Sequence, residues 1–161
     1  MVTFSTSGGF TTKDMLQCGF AHAAAACDLF SRSPTFYDSA GYLAHLGIEI
    51  ILKAWHLHCF GEFSNTHKLA TLYGQLRELD RSIQFSPQLE AFIKKLDKYY
   101  FLRYPRRFEG PIEVGSVDKE SVESLLAAIW NLFPEILRTE YNSLDATEKS
   151  GRKLMKKKVL T

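Results

Sequence analysis

Apolar residues recur along this chain at steps of three and four, the period of one helix face, over nearly its whole length. Met15, Leu16, Gly19, Phe20, Ala23, Cys27 and Phe30 form the first such set. Thr11, Thr12 and Asp14 supply the short polar side chains that open a helix ahead of it. The run Ala23 to Ala26 offers a smooth face for close packing, and Ser33-Pro34 breaks the pattern. A second helix is predicted from about Phe36 to Cys59, with Leu43, Leu46, Gly47, Ile50, Ile51, Ala54 and Trp55 on a broad apolar side and Gly61 as its stop. It is the most apolar segment and is expected at the centre. A third helix, capped by Asn65 or Thr66, carries Leu69, Leu72, Tyr73, Leu76 and Leu79. A fourth starts at Ser86-Pro87, carries Leu89, Phe92, Ile93 and Leu96, and ends near Arg103-Tyr104 because Pro105 disfavours helical backbone before it. A last long helix, capped by Asp118, runs through Val122, Leu126, Ile129, Trp130 and Phe133 to Tyr141, with a kink expected at Pro134. Only Pro111 to Val114 alternates like a strand, and it is too short to build a sheet. The pattern predicts an all-α fold: an antiparallel up-and-down helical bundle of four to five helices, one domain over residues 1–147, followed by a basic tail at 148–161.

Composition narrows the class. A chain of 161 residues with 45% hydrophobic side chains can bury a core, and this excludes a disordered chain. Three cysteines, Cys18, Cys27 and Cys59, are too few for a secreted disulfide scaffold. Met1 to Thr12 lacks a basic start and an apolar run, so no signal peptide is expected, and no stretch approaches the ~18 apolar residues of a membrane span. The expectation is a reduced, cytoplasmic protein with no membrane attachment. The net charge of +2 conceals an uneven distribution. The tail sets Lys149, Arg152, Lys153, Lys156, Lys157 and Lys158 against Glu148 alone, and a second basic stretch spans Lys94 to Arg107. Such stretches suit a polyanion, and they also suit a solvated chain end.

Familiar catalytic patterns are missing: no glycine-rich phosphate loop, no CxxC, no HExxH and no serine elbow. His56, His58, Cys59 and His67 crowd together, but His56 and His58 point to different helix faces, and no second pair completes a tetrahedral set. No metal and no cofactor are therefore expected. Two constellations remain. On the second helix His45, Glu49, Lys53 and His56 share one face, with Tyr42 a turn before. Glu49 and Lys53 stand in the favourable order for an intrahelical ion pair. This stripe reads either as the wet side of an amphipathic helix or as a polar groove between helices. The run from Tyr99 to Arg107 interleaves aromatics with Arg103, Arg106 and Arg107. Stacking faces beside bidentate phosphate donors suit a nucleotide or single-stranded RNA. The alternative is tyrosines packing a helix end while the arginines stay in water.

Taken in order, Glu49-Ile50-Ile51-Leu52-Lys53-Ala54, His67-Lys68-Leu69 and Arg103-Tyr104-Pro105 resemble the E-x-x-L-K-A, H-x-L and RYP features of the HEPN domain family (higher eukaryotes and prokaryotes nucleotide-binding) over about residues 12 to 142. The resemblance implies an antiparallel helical bundle that dimerises, with a minimal nucleotidyltransferase as partner. It also brings in metal-independent ribonucleases, which carry an Arg and a His with four to six residues between them. This sequence departs from that pattern: Phe108, Glu109 and Gly110 follow Arg103 at that spacing, and no other Arg has such a His. RNA cleavage without a metal needs a group that titrates near neutral pH. The expectation is therefore a non-catalytic domain that binds a nucleotide or RNA phosphate through Arg103, Arg106 and Arg107. Tyr104 would stack, Lys53 would add a second cation oriented by Glu49, and His67 would bond the ligand or brace its loop. Two alternatives stand beside it: a ribonuclease using a non-standard His such as His67, and a purely structural interaction module.

Overall fold

A glycine pair decides how the two longest helices meet. The computed structural model describes residues 2–104 and 112–144. In it α1 (Thr12–Phe30) and α2 (Tyr37–Phe60) form an antiparallel hairpin. Gly19 faces Gly47 so closely that a Cβ on Gly47 would lie 2.7 Å from the Ala23 amide nitrogen and 2.8 Å from the Gly19 carbonyl oxygen. Backbone contact of this kind needs both positions to lack a side chain, and the alanines beside them extend the smooth seam. Thr11 caps α1 by accepting from the Asp14 amide, and Gly61 ends α2 in the left-handed conformation at φ 73°. Both follow the sequence expectation.

Around this hairpin lie α3 (Leu69–Leu79), α4 (Pro87–Tyr99), α5 (Val117–Leu132) and α6 (Glu135–Asn142). The fold is an all-α bundle. Trp55 is fully buried and meets Phe133 edge-on, while Phe20 packs on Tyr141 with ring centroids 4.6 Å apart, so α5 and α6 close the core against α1 and α2. No helix among the described residues is long and apolar enough to cross a membrane.

Four details differ from the sequence reading. Pro134 does not merely kink the last helix; it breaks it, since Phe133 and Pro134 take extended ψ values of 138° and 143°, so the described residues hold six α-helices. Asp118 is not an N-cap: it lies inside α5, where its carboxylate accepts from Lys95 Nζ (2.8 Å), the Tyr99 hydroxyl (2.8 Å) and the Gly115 amide (3.0 Å). Neither Asn65 nor Thr66 caps α3. Asp97, from α4, accepts from the Leu69 and Ala70 amides at 2.6 and 3.2 Å, because those orphan donors face a carboxylate brought in by tertiary packing. Finally, β1 (Thr3–Ser5) pairs antiparallel with β2 (Glu62–Ser64), Thr3 opposite Ser64, a small ribbon across the end of α2. Residues 112–114, from the stretch with strand-like alternation, form no strand; Pro111 lies outside the described residues.

Candidate functional site

The polar stripe of α2 is not wet. His45, Glu49, Lys53 and His56 are 0%, 4%, 7% and 3% exposed, so a run of ionisable groups lies sealed beneath α3 and its leading loop. Burial on this scale demands partners. Glu49 Oε1 accepts from Lys53 Nζ at 2.7 Å, one helical turn on, and from His67 Nδ1 at 3.0 Å. The Lys53 ammonium also lies 5.8 Å from the Phe63 ring centroid. His45 donates from Nε2 to the His67 carbonyl (2.9 Å), and His56 from Nε2 to the Leu72 carbonyl (2.8 Å). Burial pushes the pKa of both His45 and His56 down. For His45 it outweighs the opposing pull of the Glu49 and Asp97 carboxylates. The neutral His45 ring then carries its lone pair on Nδ1, which is buried without a hydrogen bond, 3.7 Å from Glu49 Oε2.

Above this sealed layer the side chains reach the surface as a ladder. The His67 ring, its side chain half exposed, stacks on Tyr100 with centroids 4.8 Å apart and planes 19° from parallel. The Arg103 guanidinium carbon lies 4.6 Å from the Tyr100 centroid and 4.5 Å from that of Tyr104. Arg103 Nη2 also donates to the Tyr104 hydroxyl at 2.8 Å, and the Tyr42 hydroxyl bonds the same side chain. The local cause is the 3-10 turn Tyr100–Arg103 that follows α4. It sets Tyr100 and Arg103 three residues apart and therefore one above the other.

The structure thus brings together Glu49, Lys53 and His67 as one hydrogen-bonded group, and joins Arg103 and Tyr104 to it through Tyr100. Lys53 does not stand as a free cation beside Arg103: its ammonium is buried on Glu49, so its charge is spent inside the protein. Arg106 and Arg107 lie outside the described residues. Tyr100, one aromatic of the Tyr99–Arg107 run, takes the central rung of the ladder, and Asp97 contributes support that no motif marked. Tyr100 had a signal, its i, i+3 relation to Arg103, whereas Asp97 had none, because its partners are 27 and 28 positions away. No metal-holding group of His, Cys, Asp and Glu occurs among the described residues.

A ring ladder next to an arginine can stack a base or hold a phosphate by charge and fork geometry. The dyad beneath it fixes which imidazole nitrogen of His67 is engaged: Nδ1 bonds Glu49, and Nε2 has no bond among the described residues. Comparison with curated proteins and with solved structures gives no match. A family model, that of the HEPN domain, matches residues 13–138. That span runs from the first turn of α1 into α6 and takes in every residue of the sealed layer and of the ladder, so the chain belongs to the HEPN domain family.

Proposed function

We propose that this HEPN domain is a non-catalytic module that binds a nucleotide or an RNA phosphate at the His67–Tyr100–Arg103–Tyr104 ladder. The observation that carries the reading is Arg103, an exposed residue whose guanidinium lies over two tyrosine rings. Arg103 supplies the phosphate donor, Tyr104 and His67 supply stacking faces, and Glu49 orients His67 from below. Lys53 acts through Glu49 rather than on the ligand. Arg106 and Arg107, next in sequence, are the further cations of this proposal. Titration of the protein with AMP and with a short single-stranded RNA, at low and moderate salt, tests it. Arg103→Ala, whose side chain is exposed and carries no core packing, should lower affinity at least tenfold and flatten the salt dependence. Unchanged affinity would overturn the reading. A homodimer and a nucleotidyltransferase partner accompany it as expectations of the family. Light scattering of the purified protein and co-purification with a neighbouring gene product test these.

A second reading rests on the Glu49–His67 pair. A carboxylate on Nδ1 with Nε2 unengaged among the described residues is the arrangement of an oriented general base, and Arg103 stands on the next ring of the ladder. In that case the protein is a metal-independent ribonuclease with a non-standard His. Cleavage of RNA in EDTA that disappears in His67→Ala would select it. Binding without cleavage selects the first reading.

A further inference from the structure

A second recess lies on another part of the molecule, where the β-ribbon crosses the ends of two helices. It is a cleft of about 480 Å³, inside the range of small-ligand sites. Its walls come from Phe60, the last residue of α2, from Leu79, the last residue of α3, and from Glu78, Glu62, Ser64 and His56.

Three independent features give this cleft a chemical preference. First, two helices deliver their carboxyl ends to it, and each end carries about half a negative charge. The carboxylates of Glu62 and Glu78 add to this field, and neither has a cationic partner among the described residues. Second, Ser64 is 6% exposed, yet its hydroxyl is buried with no hydrogen-bond partner. Ser64 and Glu62 share one face of the ribbon and both line the cleft, as does Phe63 between them, whose ring also stacks on Phe4. A buried hydroxyl without a partner costs stability, and a ligand that bonds it would recover that cost. Third, Phe60 and Leu79 are 43% and 54% exposed, which leaves apolar surface beside the charges. His56 adds no opposing charge, since its ring is neutral and donates to the Leu72 carbonyl.

We propose that this cleft binds an organic cation on a short apolar stem, an alkylguanidinium or alkylammonium group. Its head is held by Glu62, Glu78 and the Ser64 hydroxyl, and its stem lies on Phe60 and Leu79. The same chemistry is carried by a free amine or guanidine and by the side chain of a peptide.

The test is a chemical-shift titration of the ¹⁵N-labelled full chain with n-butylguanidinium, with a capped arginine amide, and with n-pentanol as the uncharged counterpart. Saturable shifts centred on Glu62, Ser64, Glu78 and Leu79 are expected for the cations and not for pentanol. Glu62→Gln with Glu78→Gln, two exposed positions that leave the core intact, should weaken cation binding at least tenfold. Arg103→Ala should leave it unchanged, which keeps this site separate from the ladder. Ser64→Ala should weaken binding while the unfolding temperature holds or rises. Binding of the capped arginine as tight as that of the free guanidinium assigns the site to a peptide side chain, and clearly weaker binding assigns it to a small molecule. Equal binding of pentanol, or unchanged affinity in the double Gln variant, would overturn the proposal.

Discussion

Replacing Glu49 by Gln keeps the shape of the side chain and removes one charge from a place water hardly reaches. The Glu49 and Lys53 side chains are 5% and 9% exposed and meet at 2.7 Å. A surface pair of this spacing contributes less than about 1 kcal/mol, whereas breaking a buried pair from one side costs ~3–5 kcal/mol, because the remaining charge is stranded. Among the described residues the Lys53 ammonium has no second carboxylate within salt-bridge distance, so the higher figure applies. The same substitution also replaces the charged acceptor of His67 Nδ1 with a neutral one. For a domain of this size each kcal/mol moves the unfolding temperature by roughly 2–4 °C, so Glu49→Gln should lower it by ~6–20 °C. Lys53→Met should cost less, since Glu49 keeps His67 as a donor and the methionine fills the space beside Phe63. Urea unfolding of the two single variants and the double variant closes a double-mutant cycle, and a coupling of ~2 kcal/mol or more is expected. A loss below about 1 kcal/mol in Glu49→Gln, with a coupling near zero, would show instead that the pair behaves as a solvated one.

Three further predictions come from other parts of the fold. Gly47→Ala should destabilise by ~1–3 kcal/mol or more, because its Cβ meets backbone of α1, which cannot swing aside. Gly74→Ala, in α3 with nothing within 4 Å of the added carbon, should stabilise by ~0.5–1 kcal/mol in the same thermal assay. Equal effects at the two positions would exclude the close crossing of α1 and α2. For pH, burial holds the folded pKa of His45 and His56 below the ordinary 6.5, so the folded protein binds fewer protons than the unfolded chain. Stability is therefore complete above pH 6.5 and declines as pH falls below it. Urea midpoints between pH 7.5 and 5 should show the decline, which His56→Gln should make shallower; a flat profile would contradict it. Asp97→Ala should cost ~0.5–2 kcal/mol as a lost cap, and hydrogen exchange should speed up first at the Leu69 and Ala70 amides. Uniform acceleration across the protein would show that Asp97 does something other than cap α3.

Local chemistry was readable from the sequence, and contacts over long separation were not. Ser86 acts through a local side-chain bond, and Pro87 and Gly61 through their own backbone torsions, so the start of α4 and the end of α2 were visible in the residues themselves. The apolar set of α1 was visible as spacing, and all seven of its residues are buried. Pairing of Thr3–Ser5 with Glu62–Ser64 joins three-residue strands across the whole α1–α2 hairpin, too short and too far apart to leave a periodic signal. The α2 stripe showed as a polar face, but whether that face is wet depends on what covers it. The cover is α3, held in place by Asp97 of α4. For the same reason the aromatic–basic run was visible as a composition, while the stack of His67 on Tyr100 was not.

In the proposed reading, the layered arrangement separates residues that would meet a ligand from residues that hold those residues still. His45 bonds the His67 carbonyl, Glu49 bonds the His67 ring, and Asp97 bonds the first two amides of the helix that follows. The short segment carrying His67 is thereby tied at its backbone, its side chain and its exit. A ring fixed in this way loses little conformational entropy when something stacks on it or on the ladder it supports. Arg103 and Tyr104 are exposed and share one hydrogen bond, and the Tyr42 hydroxyl bonds Arg103 as well. Substitutions at Arg103 or Tyr104 should therefore change ligand affinity with little change in unfolding temperature, and substitutions at His45 or Glu49 should do the reverse. His67 takes part in both layers, and it is the residue at which the two effects should appear together.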